Sequence, residues 1–246
     1  MDNQVILLGY YGGDETHCLS AWQSTNIELN IELDIDVSKR IDQLFEETVK
    51  HKKKSPCELL EMLAKSGHET PFEKSCLHFQ ITADIASHVH CIKHRIATSI
   101  NSESARYKEL KDKWYVPEEW DNISVIHDES NYLLAEDWLW YNEIFTWYEA
   151  LDLYNELGHG LYHLACEQLT KHLGRKRAKE SARYFLPYSK QIDFDMMFNF
   201  RSFVHFQRLR NSEHAQKEIR EIAQKMLELV KELDCFKYSL EAFNLI

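Results

Sequence analysis

The chain has 246 residues and a formal charge of −11, from 29 Lys and Arg against 40 Asp and Glu. Apolar residues make up 44% and charged residues 28%, a globular balance that excludes a disordered or collagen-like chain. Only 7 Gly and 4 Pro leave too little turn chemistry for a coil-rich β-sandwich, and the acidic balance argues against a binder of nucleic acid or anionic membranes.

The longest uncharged run, Thr16 to Ile27, is 12 residues, too short and too polar to cross a bilayer. The first basic residue is Lys39, so the positive segment of a secretory signal is missing. Six cysteines, at positions 18, 57, 76, 91, 166 and 235, show no C-x-x-C spacing and are expected as reduced thiols in the cytoplasm. No repeat or linker divides the chain, so residues 1–246 are expected to form a single domain.

In chain order, Gln4 to Tyr10 predicts a strand that ends at Gly12-Gly13. Ser38 is expected to cap a helix carrying Ile41, Leu44, Phe45 and Val49. Ser55-Pro56-Cys57-Glu58 predicts a capping box with Pro at the first helical position, the helix stopping near Gly67. From Ser75 to Ala83 the pattern alternates, with Leu77, Phe79 and Ile81 on one face and His78, Gln80 and Thr82 on the other, a half-buried strand. Asp84 then caps a helix running toward Arg95. From about Ser130 the chain is expected to be mostly helical. Trp138, Trp140, Phe145, Trp147 and Tyr148 fall in one helix or two, Gly174 is a break, and Arg175 to Leu186 resumes before Pro187. A last helix after Ser212 carries Ile219, Ile222, Met226, Leu229 and Leu233 in an amphipathic stripe. The expected class is α+β, a small mixed sheet packed with many helices.

Three segments hold more polar and cationic groups than a fold needs: His68 to Glu73; Lys93-His94-Arg95 with Asn101 to Tyr107; and Asn199 through Arg201, His205, Arg208 and Arg210 to Gln216. Each has a plain structural reading, as a turn, as cations complementing a helix C-terminus, and as a solvated helix face. In the third, residues 201, 205 and 208 share a face if the segment is helical. The apolar Phe200, Phe203, Val204 and Phe206 among them bring some polar groups near the core, where an Arg needs an anionic partner.

Two other features are weaker. Pro56-Cys57 is similar to the nucleophile dipeptide of flavin-free thymidylate synthases, but this cysteine sits in a capped first turn. Glu156, His159 and His163 have dimetal-bundle spacing, but a bundle site needs a second copy, and Gly158 and Gly160 weaken a helix there. No dinucleotide fingerprint, P-loop or nucleophile elbow is present.

Taken together, the three segments resemble the flavin-dependent thymidylate synthase (ThyX) family. The family signature R-H-R…N-E-x-S-G/A-R-Y reads K-H-R-I-A-T-S-I-N-S-E-S-A-R-Y from Lys93 to Tyr107. H-E-T-P-F-E-H is matched from His68 to Lys74 except at its last residue, A-R-x-x-L-P by Ala182 to Pro187, and N-x-R-S…L-R…H-A-Q-x-E-I by Asn199 to Ile219. Lys93 replaces the first Arg of the signature, keeping the cation but not the planar fork. One extra residue separates Arg95 from Ser104, Ser102 stands where Glu is common, and His90 replaces a frequent Gln.

The resemblance implies a ThyX-like fold and the reductive methylation of deoxyuridylate (dUMP) to thymidylate, with methylenetetrahydrofolate as carbon donor and NADPH-reduced FAD as hydride source. It implies that Thr70, Lys93, His94, Arg95, Glu103, Asn199, Arg201 and His205 hold FAD. His90, Lys93, Ser102, Glu103, Ser104, Ala105, Arg106, Arg183 and Arg210 would hold dUMP, with Arg210 polarising the uracil, and His68 would join the folate pocket. It also implies a homotetramer with inter-subunit active sites; with no second copy of the Glu156, His159 and His163 spacing, no metal is expected. The competing reading is a metal- or ligand-binding helical protein without catalysis, built on the 13 histidines.

Overall fold

A computed structural model of the chain describes residues 2–25, 32–126 and 134–246. In order, the elements are β1 (Gln4–Tyr11), α1 (Asp14–Trp22), α2 (Arg40–Val49), α3 (Pro56–Lys65), β2 (Cys76–Asp84), α4 (Ile85–Cys91) and β3 (Thr98–Ser102). There follow α5 (Leu134–Tyr141), α6 (Trp147–Leu173), α7 (Arg175–Ala182), β4 (Gln191–Phe198), α8 (Phe200–Arg210), α9 (Lys217–Lys231) and α10 (Lys237–Ala242). The strands form one sheet in the order β1-β2-β4-β3.

The α+β class with a small sheet among many helices is as expected, but the strands are antiparallel rather than mixed. Glu103 N–H donates to Asp193 O and Asn199 N–H to Ala97 O, so numbers rise along β3 as they fall along β4. His78 meets Asp195 and Thr82 meets Asp193 between β2 and β4 in the same sense. Asn3 reaches Asp84 at one end of the β1–β2 pair and Gly12 lies against Ser75 at the other. Each connection therefore returns the chain in the opposite direction beside its neighbour.

The chain forms two compact units, each built from separate stretches: residues 1–3, 82–89 and 102–193 in the first, and 4–81, 90–101 and 194–246 in the second. The second unit holds most of the sheet. Leu77, Phe79 and Ile81 of β2 and Phe194, Met196 and Phe198 of β4 are buried, as period-2 alternation requires for one covered face. Phe203 and Phe206 of α8 pack on them, with ring centroids 6.0 Å apart for Phe79–Phe203 and 5.2 Å for Phe198–Phe206. Ile219, Ile222 and Met226 of α9 are fully buried, and each such side chain contributes roughly 1.5–3 kcal/mol. Asp14 at the start of α1 accepts the N–H groups of Tyr238 and Ser239 at 2.8 Å each, capping α10 from far away in sequence. The close approach requires Gly13, where φ is +149° and a Cβ would lie 2.3 Å from the Cys235 carbonyl oxygen.

In the first unit, Thr146 and Glu149 make the capping box that starts α6, and Gly174 turns the chain into α7. Helix α6 runs unbroken through Gly158, where a Cβ would come 2.8 Å from the Phe185 carbonyl. That glycine serves a close approach rather than ending a helix.

Several local expectations hold. The Ser55 capping box starts α3, β2 buries the expected face, and Asp84 caps α4 by accepting the Ser87 N–H at 2.8 Å. Others are corrected. Asp36, not Ser38, is the capping side chain: it accepts the Ser38 N–H at 3.0 Å and starts a 3-10 turn that leads into α2. Helix α4 stops at Cys91, so Lys93-His94-Arg95 follows the helix instead of ending it. The segment beyond Arg95, for which the sequence predicts no strand, contains β3, and the helical stretch expected after Ser130 is interrupted by β4; residues 130–133 lie outside the described residues. Phe145 lies in the connection between α5 and α6.

Candidate functional site

A cavity of about 580 Å³ opens in the second unit, lined by Glu69 and Glu73, by Lys93 through Thr98, and by Asn199, Arg201, Ser202, His205, Arg208, Leu209 and Arg210. Its volume falls in the roughly 300–1,000 Å³ range of small-molecule sites. One hydrogen bond starts α8 and two more join it to the wall of residues 93–98. Asn199 caps α8 by accepting the Ser202 N–H at 2.8 Å, the Ser202 hydroxyl donates to Ile96 O at 2.7 Å, and Asn199 N–H donates to Ala97 O at 3.2 Å. Helix α8 then divides cleanly. Phe200, Phe203 and Phe206 are fully buried, while Arg201, His205 and Arg208, spaced along one face, line the cavity. The third wall is the 3-10 turn Thr70–Glu73, pinned by the buried Phe72.

The lining carries five permanent cations (Lys93, Arg95, Arg201, Arg208 and Arg210) against two carboxylates. Both carboxylates hold Arg201, whose Nε lies 3.0 Å from Glu69 Oε2 and Nη1 2.6 Å from Glu73 Oε1. Arg208 lies 3.8 Å from Glu69 and stacks over the Phe243 ring at 5.3 Å. Arg210 donates its Nε–H to His94 Nε2 at 3.0 Å. Burial, then Arg210, His205 and His90, push the His94 imidazole down to a pKa of about 4, so it is neutral at physiological pH. The excess of positive charge in a half-closed space favours an anionic ligand.

Six of the eight side chains expected to hold FAD, namely Lys93, His94, Arg95, Asn199, Arg201 and His205, line this cavity together with Arg210. Thr70 begins the 3-10 turn but does not line the cavity. Glu103 lies in the first unit, where it accepts the Asp193 N–H at 3.0 Å and pairs with Lys108 at 2.7 Å. Glu69, Glu73 and Arg208 lie in the candidate segments but were assigned no ligand. The two acids stand in the H-E-T-P-F-E stretch itself, and Arg208 lies one helical turn beyond His205.

The residues expected to meet dUMP divide between the units. In the second, His90 bonds Gln216 at 3.3 Å, and Lys93 and Arg210 line the cavity. In the first, Ser102 bonds His88 at 2.8 Å, Ser104 accepts the Arg106 N–H at 3.3 Å, and Ala105 is buried. Arg106 pairs with Glu180 at 2.9 Å, and Arg183 is exposed after α7. His68 is exposed just before the 3-10 turn.

All six cysteines are free. Cys57 Sγ lies 3.9 Å from Glu241 Oε2, and its thiol is pushed up, first by burial and then by Glu241, the opposite of an activated nucleophile. Cys57→Ser is therefore expected to retain at least about half of wild-type turnover, because a hydroxyl is tolerated in a helical first turn. A covalent adduct between Cys57 and 5-fluorodeoxyuridylate in a mass spectrum would overturn this. In α6, His159 is buried and bonds its own helix through Asn155 O at 2.8 Å, while His163 bonds Asp112 at 2.8 Å. Among the described residues, no group of three or more His, Cys, Asp or Glu is arranged to hold a metal ion, and no helix is long and apolar enough to cross a membrane.

Comparison with known proteins places this arrangement in context. The family model described as thymidylate synthase complementing protein matches residues 7–234. The flavin-dependent thymidylate synthase of Thermosipho africanus (strain TCF52B) is 34% identical over 187 residues, 75% of each chain. That of Thermosipho melanesiensis (strain DSM 12029 / CIP 104789 / BI429) is 34% identical over 179 residues, 71% of each. In fold, the chain is similar to the UMP/dUMP methylase PolB of Streptomyces cacaoi, solved with 5-Br UMP, at a TM-score of 0.66 and 21% identity, covering 99% of this chain and 94% of that one.

Proposed function

The chain belongs to the thymidylate synthase complementing protein family, which includes the flavin-dependent thymidylate synthases, and from that premise we propose that it converts dUMP to thymidylate. Methylenetetrahydrofolate is the carbon donor and NADPH the reductant. The observation that carries the reading at the level of residues is the cavity, where five cations face two carboxylates. That leaves three positive charges in excess, of which the two phosphates of a dinucleotide would offset two. When bound there and reduced, FAD supplies the hydride. Lys93, His94, Arg95, Asn199, Arg201 and His205 hold it in the cavity, and Glu69 and Glu73 fix the direction of the Arg201 guanidinium.

His90, Lys93, Ser102, Glu103, Ser104, Ala105, Arg106, Arg183 and Arg210 bind dUMP, and His68 contributes to the folate pocket. The guanidinium of Arg210 favours negative charge at uracil N3 and O4, which makes C5 nucleophilic without a cysteine adduct. Ser104 positions the nucleotide; among the described residues its hydroxyl oxygen accepts the Arg106 N–H, which does not activate it as a nucleophile. The enzyme works in the cytoplasm as a homotetramer, with residues 1–246 acting as one catalytic domain.

The test is NADPH oxidation and thymidylate formation by the purified protein with FAD and methylenetetrahydrofolate, with and without dUMP. Thymidylate that depends on both FAD and dUMP is the expected result. A colourless protein that takes up no FAD at saturating concentration would refute the reading.

A further inference from the structure

We infer that His94 is the positioning residue of Arg210: its ring nitrogen holds Nε of the guanidinium and leaves the Nη1–Nη2 edge as the fork offered to the pyrimidine. This rests on the proposed role of Arg210 toward dUMP and deepens it.

The geometry sets the direction of the bond. An arginine side chain is always charged and has donors only, so at 3.0 Å Arg210 Nε–H must donate and His94 Nε2 must accept. The ring proton therefore sits on Nδ1, which settles the tautomer. The ring is itself held in place. It packs against Phe206 with centroids 4.9 Å apart and against His205 at 5.9 Å, both on α8, the helix whose last residue is Arg210. One helix thus supplies the arginine and the surface that fixes the imidazole, while the imidazole comes from the segment after α4.

Arginine carries large rotamer entropy, and ordering it in advance lowers the cost of binding. The groups facing His94 are Arg210, His205 and His90, and all three disfavour its protonated form, so the acceptor lone pair is available at neutral pH. A histidinium would both lose that lone pair and repel the guanidinium. His94 had been expected only as a flavin contact; the hydrogen bond gives it a task that acts through Arg210.

The experiment uses FAD-loaded protein and a double-mutant cycle. His94→Phe keeps a ring against Phe206 but has no acceptor, and His94→Leu repeats the test should the phenylalanine variant not fold. His94→Gln restores an acceptor oxygen. Titration with dUMP is expected to show binding weakened about ten- to a hundredfold in His94→Phe and recovered to within about threefold of wild type in His94→Gln. The His94→Phe/Arg210→Ala double variant should bind no more weakly than Arg210→Ala alone, because a positioning residue has nothing left to position. Three results would each overturn the inference: His94→Phe binding dUMP like wild type, a His94→Phe effect that adds in full to that of Arg210→Ala, or His94→Gln and His94→Phe losing FAD equally. Failure of the functional reading is separate, since wild-type protein would then bind no dUMP at all.

Discussion

Arg210→Ala is expected to lower the rate of thymidylate formation by about 10²–10³-fold while FAD remains bound. The magnitude is that of removing a donor aimed at developing negative charge, here a guanidinium able to offer two parallel hydrogen bonds to the pyrimidine. The selectivity follows from position. Arg210 is the last residue of α8, its Nε is committed to His94, and four other cations of the cavity remain for the cofactor. Flavin absorbance of the purified variant measures retention, and product formation measures chemistry. Arg210→Lys should recover only part of the rate, since a point charge replaces the fork. A half-buried arginine also packs through its methylenes, so circular dichroism must first show a native helical signal. Near-normal turnover by a folded Arg210→Ala protein would remove Arg210 from the chemistry.

How far the sequence disclosed this arrangement depended on whether a feature was local. The α3 capping box and the alternation of β2 are each written within a dozen residues and are found where expected, as is the stripe of α9 through Leu229, with Leu233 falling just beyond the helix end at Lys231. The face of α8 that carries 201, 205 and 208 was legible for the same reason. Strand β3 was not, because Thr98–Ser102 contains a single apolar residue, Ile100, and it joins the sheet through backbone pairing at an edge. Strand β4 did carry a signal, with Ile192, Phe194, Met196 and Phe198 alternating with Asp193 and Asp195. Its period of two lay hidden inside a stretch read as helical.

At the site, family motifs brought together six cavity residues from two segments more than a hundred positions apart. They did not disclose that Glu69 and Glu73 would hold Arg201, because a pocket for phosphates leads one to look for cations. Nor could any local pattern show that His17 pairs with Ser75 and Ser239, which lie 58 and 222 positions from it.

That last network sets the second large effect: stability is expected to fall as the pH drops from 7.5 to 5, with His17 accounting for about 2 kcal/mol of the loss. His17 is fully buried among Phe72, Phe200 and Phe236. The Ser239 hydroxyl donates to Asp14, so it accepts from His17 Nδ1–H at 2.8 Å, and Ser75 O–H donates to His17 Nε2 at 2.8 Å. Both nitrogens are satisfied only in the neutral ring, and burial lowers the pKa to about 3 from 6.5. The sign follows from this depressed value. Between pH 3 and 6.5 the unfolded chain binds the proton that the folded chain refuses, so stability is full above 6.5 and declines by about 1.4 kcal/mol per pH unit below it.

His88, His94 and His159 are lowered as well and act in the same direction. His163, raised chiefly by its hydrogen bond to Asp112, and Asp14, raised by burial, act in the opposite one. Comparison with His17→Gln isolates the His17 share, because an amide can donate and accept but does not titrate. Urea unfolding at pH 7.5 and 5 should show the Gln variant less stable at the higher pH yet losing about 2 kcal/mol less on acidification than wild type. Equal losses in the two proteins would mean that the His17 ring can take up its proton inside the core, with Ser75 turning its hydroxyl to accept from Nε2 instead of donating to it.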